Sequence, residues 1–323
     1  MEPTTATLPL SDRSVAGRVF IRRHSLAVRI LHWVNFFTLT IMLMSGLQIF
    51  NAHPALYWGK TSQFSQPILS MGAMEDDQGH SWGVTTVGSH TFVTTGVFGW
   101  SKGSDGTYEE RGFPSWATLP GEQWLAMGRA WHLFFAWILV LNGLLYVLIG
   151  ILSGHLRRDL WLTRVDWRHL GHTFIEHVRL RFPKGDEARR YNGIQKLAYL
   201  FVVFVVAPVI VLTGLTMSPT LDAGYPWLLT LFDGRQSART IHFICAMTFF
   251  GFFLVHIAMV ILSGTWNNVR SMITGEYAIE TAPLKAPPKV APQPPAELPV
   301  APAVGPAAQP TVESTTKPPG DAP

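Results

Sequence analysis

One cysteine, Cys245, stands in a chain of 323 residues. A lone thiol excludes an intrachain disulfide, an iron–sulfur cluster held by cysteines of this chain, and the paired-cysteine attachment of a c-type haem. Set in an apolar run, it reads as a small packing residue. Charge is scarce as well: Asp, Glu, Lys and Arg make up 14% of the chain, against 48% hydrophobic residues. Acidic residues are almost missing from the long apolar runs, which counts against a transporter or proton channel lined by carboxylates. Beyond those runs there is no convincing internal repeat.

What is present is concentrated. Four apolar runs, roughly 26–50, 129–153, 192–217 and 238–263, each have the length needed to cross a ~30 Å hydrocarbon core. The first is too long for a secretory signal and lacks a small-residue cleavage pattern after it. The sequence therefore predicts an all-α integral membrane protein with four transmembrane helices. Orientation follows from Lys and Arg. Arg13, Arg18, Arg22 and Arg23 precede the first run, and nine basic residues from Arg157 to Arg190 lie between the second and third. Segment 51–128 has only Lys60, Lys102 and Arg111 against seven acidic residues. Both termini are expected in the cytoplasm, with 51–128 and 218–235 outside. A basic middle loop on the cytoplasmic side needs no nucleic acid to explain it.

The rest of the chain divides around this core. Residues 1–25 read as a flexible cytoplasmic start and 26–280 as the membrane domain. Segment 51–128 reads as a long outer insert between helices one and two. Its runs WGVTTVG and HTFVTTGVFGW suggest strands or extended loops, and its length suggests a contact surface for another protein. From 281 to 323 the chain is Pro/Ala-rich and is expected to be a disordered cytoplasmic tail.

Four of the twelve histidines fall in the apolar runs. His32 lies near the inner start of the first and His132 near the outer start of the second. His242 and His256 mark the outer and inner ends of the fourth. Depth pairs His132 with His242 and His32 with His256. Fourteen residues at ~100° each leave His242 and His256 about 40° apart on one helix face, and ~21 Å apart along it. Two haem b groups, each held by two imidazoles without a cysteine link, suit that pattern. Arg29, Arg129 and Arg239 each precede a ligand by three residues (RILH, RAWH, RTIH). They are candidate partners for haem propionates, with interfacial snorkelling as the alternative. His24 and His155, near the inner interface, are reserve ligands. Trp33, Trp131, Trp137, Trp161, Trp227 and Trp266 read as membrane-boundary residues.

The RxxHW of helix one, a single histidine opening helix two and H-x13-H in helix four resemble a known family. It is that of the membrane-embedded di-haem cytochrome b subunits of the bacterial cytochrome b561 and nickel-hydrogenase group. Formate dehydrogenase gamma and thiosulfate reductase cytochrome b subunits belong to the same broad set. The resemblance covers about 20–280, without much of 51–128. It implies a four-helix haem-binding bundle with His132 and His242 on an outer haem and His32 and His256 on an inner one. It also implies electron transfer between membrane quinone and an outer catalytic subunit. The quinone site in such proteins lies near the inner haem, where Asn35 and Asn267 are candidate contacts. YNGIQKLAY and MSPTLDAGYPWLLTLFDGRQSARTIHF are most similar to subunits paired with periplasmic molybdopterin oxidoreductases. The long insert departs from the short connection of simpler members. Two other readings stay open: a stand-alone b561-like transmembrane reductase, with a small-molecule site in the outer loops, and a membrane anchor or transporter without haem.

Overall fold

The computed structural model of the chain describes residues 13–15, 18–154, 156–168, 171, 175 and 193–280. The expected tail at 281–323, the reserve ligand His155 and most of the basic loop lie outside the described residues. Helices run in the order α1 (Leu26–Asn51), α2 (Leu125–Leu152), α3 (Gly193–Thr216), α4 (Pro219–Gly224), α5 (Trp227–Leu231), α6 (Arg235–Leu262) and α7 (Thr265–Thr274). Of these, α1, α2, α3 and α6 are long and apolar enough to cross a membrane. Helix α1 opens on Ser25, whose hydroxyl accepts from the Val28 amide at 3.4 Å and caps an orphan donor. Helix α3 carries a widened turn at Val202–Val206. Pro208 follows it, lacking an amide hydrogen and crowding the carbonyl four residues earlier, and the helix loosens there.

Burial is inverted relative to a water-soluble protein. The fully buried side chains include Gln48, Thr38, Thr213, Thr216, Thr240 and Ser45, while Leu133, Phe134, Trp137, Leu144 and Leu148 of α2 are exposed. Lipid supplies no hydrophobic drive between helices, so small and hydrogen-bonding residues occupy the contacts and large apolar ones face outward. Helix α1 packs along α2, and α3 along α6. Asn142 of α2 donates to the Leu31 carbonyl and to Asn35 Oδ1 of α1, both at 3.0 Å.

The expected all-α class is too narrow, because three antiparallel sheets accompany the helices. In the insert, β3 (Ala55–Leu56), β4 (Leu69–Glu75), β5 (Ser81–Val87) and β6 (His90–Val93) form one sheet, and β7 (Gly99–Lys102) pairs with β8 (Tyr108–Arg111). The two sheets touch through glycine: a Cβ on Gly83 would stand 2.2 Å from the Phe98 carbonyl oxygen. At the other end, β1 (Arg13–Val15), β2 (Arg18–Arg22) and β9 (Glu276–Glu280) form a third sheet. The segment expected to be flexible, 1–25, thus includes two strands. RVFIR and EYAIE each set three apolar residues between charged ends, and their antiparallel register places Arg18 opposite Glu280 and Arg22 opposite Glu276.

The insert is fastened to the helix ends. Phe50, Leu56, Met71 and Phe113 form its core, with Phe243 of α6 packed against them. The Asn51 side chain brackets the Phe113 backbone, accepting from its amide at 2.7 Å and donating to its carbonyl at 3.1 Å. Arg111 is wholly buried and donates to the carbonyls of Phe113 and Gly121, to Thr118 Oγ1 and to Glu109. Thr240 and Ser237 of α6 bond the backbone of Tyr57 and Gly59.

Candidate haem-binding site

The four histidines of the long helices meet in two pairs. His132 of α2 and His242 of α6 have ring centroids 6.1 Å apart and planes at 61°. His32 of α1 and His256 of α6 have centroids 6.3 Å apart and planes at 57°. A metal about 2 Å from each Nε2, with each ring centre about 1.2 Å behind its nitrogen, spaces the centroids by about 6.4 Å. Each pair therefore has the spacing to hold one iron between its two imidazoles, as a haem would need. Among the described residues no group of three or more His, Cys, Asp or Glu is placed to hold a metal by itself.

The pair at the insert end is held by two matching cradles. His132 Nδ1 lies 3.1 Å from the Met42 carbonyl and 3.2 Å from Ser45 Oγ, both on α1. His242 Nδ1 lies 3.0 Å from the Ile210 carbonyl and 3.1 Å from Thr213 Oγ1, both on α3. A carbonyl only accepts, so each Nδ1 carries the hydrogen and each Nε2 keeps its lone pair, the tautomer a metal requires. Ser45 and Thr213 give their own hydrogens to Ile41 and Val209, leaving their oxygens to accept. One residue on, glycine lies against each ring: a Cβ on Gly46 would stand 3.3 Å from His132 Cε1, and one on Gly214 3.3 Å from His242 Cε1. Sequence reasoning missed these four residues. Their signal is a hydroxyl residue followed by glycine, Ser45–Gly46 and Thr213–Gly214, in the neighbouring apolar run.

The other pair is built differently. His32 Nδ1 is buried and has no hydrogen-bond partner. Phe252 stacks on His256 at 15° with centroids 6.2 Å apart, and Phe36 of α1 lies 6.2 Å from Phe253. Trp33 meets the edge of the His32 ring with centroids 5.5 Å apart.

The arginines take positions that the sequence did not disclose. Arg239 donates to the backbone carbonyls of Ala55 and His53 and lies 5.5 Å over the Phe50 ring. Arg29 donates to the Ile273 carbonyl, with its Nε buried and unpartnered. Arg129 is exposed. The proposed quinone contacts are also engaged: Asn35 accepts from Asn142, and Asn267 exchanges two bonds with the Ala278 backbone.

The profile of prokaryotic cytochrome b561 matches residues 23–275. The chain belongs to that family. Cytochrome b561 proteins are membrane haem proteins of electron transport, and the imidazole pairs are suited to the b-type haem such proteins carry. A curated relative from Azospira oryzae, named for a role as a protein-methionine-sulfoxide reductase subunit, YedZ1, is 33% identical over 149 residues. That match spans 46% of this chain and 71% of the relative. No solved structure matches the chain. Within this cytochrome b561, α3 carries no histidine and supplies the acceptors for His242 Nδ1.

Proposed function

We propose that this cytochrome b561 binds two haem b groups and relays electrons between membrane quinone and a redox subunit on the outer face. The observation that carries this is the pair of imidazole pairs, spaced for iron and separated by fourteen residues of α6. In this reading His132 and His242 hold the outer haem, and His32 and His256 the inner. Each haem supplies a one-electron ferric/ferrous couple when bound. The chain does the rest. Met42, Ser45, Ile210 and Thr213 fix the tautomer and tilt of the outer ligands, and Trp33 and Phe252 pack their rings against the inner pair. Arg129 and Arg239 are assigned to propionates, Arg239 through the guanidinium hydrogens it does not spend on the backbone. Arg29 keeps the same proposed role through the guanidinium hydrogens left over from its bond to the Ile273 carbonyl.

Charge asymmetry supports an outer, periplasmic insert at 51–128 and cytoplasmic termini in an inner membrane, with 26–280 as the membrane domain. The insert is proposed as the docking platform for the partner, because its core continues onto Phe243, next to the outer ligand His242. A molybdopterin-type oxidoreductase is the proposed partner. The naming of the Azospira relative as a reductase subunit supports a role beside a catalytic chain. The test is a dithionite-reduced minus oxidised spectrum of purified protein with haem counted per chain. Two b-type haems are expected, falling to one in His132→Ala. Haem-free protein made with ample haem supply would overturn the reading.

A further inference from the structure

The two histidine pairs differ in what aims their rings. At the insert end a carbonyl and a hydroxyl pin each Nδ1, whereas His32 Nδ1 has no partner. Something else must orient His32, and the residues around it show what does. Helix α7 follows α6 after a turn at Gly264 (φ 108°) and ends at Thr274, with Gly275 (φ 89°) beyond it. The last carbonyls of a helix lack intrahelical donors. Here the Ser271 carbonyl takes the Gly275 amide, the Met272 carbonyl takes Trp33 Nε1–H at 3.1 Å, and the Ile273 carbonyl takes Arg29 Nη1–H. Trp33 and Arg29 belong to α1 and flank His32, four residues apart and so on one face of the helix. The positive guanidinium also sits at the negative end of the α7 dipole.

The clamp continues past α7. The Arg23 amide donates to the Gly275 carbonyl at 2.8 Å, and β2 pairs with β9 from Arg22↔Glu276 to Arg18↔Glu280. Arg270 of α7 lies 4.4 Å over the Phe20 ring, and Arg23 lies 4.7 Å over Tyr277. Helix α7 is therefore a strut from the end of α6, which carries His256, to the start of α1, which carries His32.

We infer that Trp33 and Arg29 are positioning residues for the inner haem ligand His32, latched by the carbonyl end of α7 and the β2–β9 sheet. The inference rests on the reading of His32 and His256 as a haem pair. The latch holds the first turns of α1 at a fixed distance and rotation from α6, doing for His32 what direct hydrogen bonds do for His132 and His242. The two haems thus respond to different parts of the chain.

The test is ferric low-spin electron paramagnetic resonance with a potentiometric titration on full-length purified protein, using Trp33→Phe, Arg29→Gln and Arg29→Lys. The ferric g-values of a bis-imidazole haem depend on the angle between its ring planes. Trp33→Phe keeps an aromatic ring and removes the N–H donor together with the pyrrole half of the indole, which meets the His32 ring edge-on at 5.5 Å. It is expected to shift the g-value and midpoint potential of one haem while the other stays unchanged. The same haem is expected to move in Arg29→Gln and to recover most of its position in Arg29→Lys. Ser45→Ala and Thr213→Val are expected to move the other haem. Unchanged spectra in Trp33→Phe and Arg29→Gln, or equal shifts in both haems, would overturn the latch. So would joint loss of both haems in both variants, since the latch acts on one ligand. Haem content of the unaltered protein tests the underlying pair separately: with two haems bound and no selective shift, only the latch fails.

Discussion

If His132 and His242 hold the outer haem, as proposed, the cradle geometry fixes the direction in which its potential moves. Each outer histidine gives its Nδ1 hydrogen to a carbonyl and a hydroxyl together, at 3.1 and 3.2 Å for His132 and at 3.0 and 3.1 Å for His242. Donation from Nδ1 pushes electron density toward Nε2, which favours ferric over ferrous iron and lowers the potential. Thr213→Val is close to isosteric and removes one acceptor, leaving the Ile210 carbonyl. A neutral hydrogen bond of this kind contributes roughly 0.5–1.5 kcal/mol net. If the ferric form draws on the whole of ~1 kcal/mol and the ferrous form on none, the potential rises by about 40 mV for one electron; the true rise is some fraction of that. Ser45→Ala, acting on the other side of the iron through a different helix, is expected to give a similar rise. The double variant should add, since the two hydroxyls share no partner. Spectroelectrochemical titration resolves the two haems by midpoint. A fall in potential, or a rise in the haem that survives His132→Ala, would refute the reasoning.

Other consequences follow from the same contacts. Gly214→Val and Gly46→Val put branched carbon where a Cβ alone already stands 3.3 Å from an imidazole carbon. Each is expected to cost the outer haem selectively, with Gly→Ala retaining it at a shifted spectrum; haem per chain reports both. Arg111→Met strands the acceptors at Phe113, Thr118 and Gly121, a loss on the order of 3 kcal/mol or more for a buried charged donor. Limited proteolysis in detergent should then cut the insert faster while the spans stay intact. Asp76 accepts from the His80 and Gln78 amides, and these bonds, His80 first, hold its carboxyl below the usual range. The folded value is the lower one, so the turn is secured at neutral pH and loosens as pH falls through the carboxylate range. Hydrogen exchange at Gln78 and His80, normalised to intrinsic rates, should show that loss, and Asp76→Asn should abolish its pH dependence.

The spans were legible because lipid demands about twenty apolar residues per crossing whatever the tertiary details. The histidine pairing was legible because antiparallel topology converts sequence position into depth: His132 and His242 each stand seven residues past the starts of their helices, Leu125 and Arg235. The insert strands were visible in part, since SWGVTTV and HTFV are rich in β-branched and aromatic residues. The sheet of β1, β2 and β9 was not. Strand β2 precedes the first span and β9 follows the last, and neither has enough apolar surface to be read alone. The arginines' backbone contacts were hidden for a related reason. Spacing gives the face of a helix but not the partner, and Arg29 and Arg239 reached backbone carbonyls of α7 and the insert.

The cradles show why a motif so short is enough. In lipid an imidazole N–H must find an acceptor in the protein, yet every interior helical carbonyl already accepts the amide four residues later. A carbonyl has a second lone pair, but the side chain of that fourth residue ordinarily crowds it. Glycine at the fourth position removes the crowding: Gly46 follows Met42 by four, and Gly214 follows Ile210 by four. The third position adds a hydroxyl, Ser45 or Thr213, that has spent its own hydrogen on the preceding turn and can only accept. The same solution occurs on α1 for a ring of α2 and on α3 for a ring of α6, two helix pairs whose sequences show no convincing repeat. What recurs is therefore the physical requirement, an exposed carbonyl lone pair at the depth of a histidine. Helix α3, which carries no histidine, is tied to α6 by that requirement through Ile210 and Thr213.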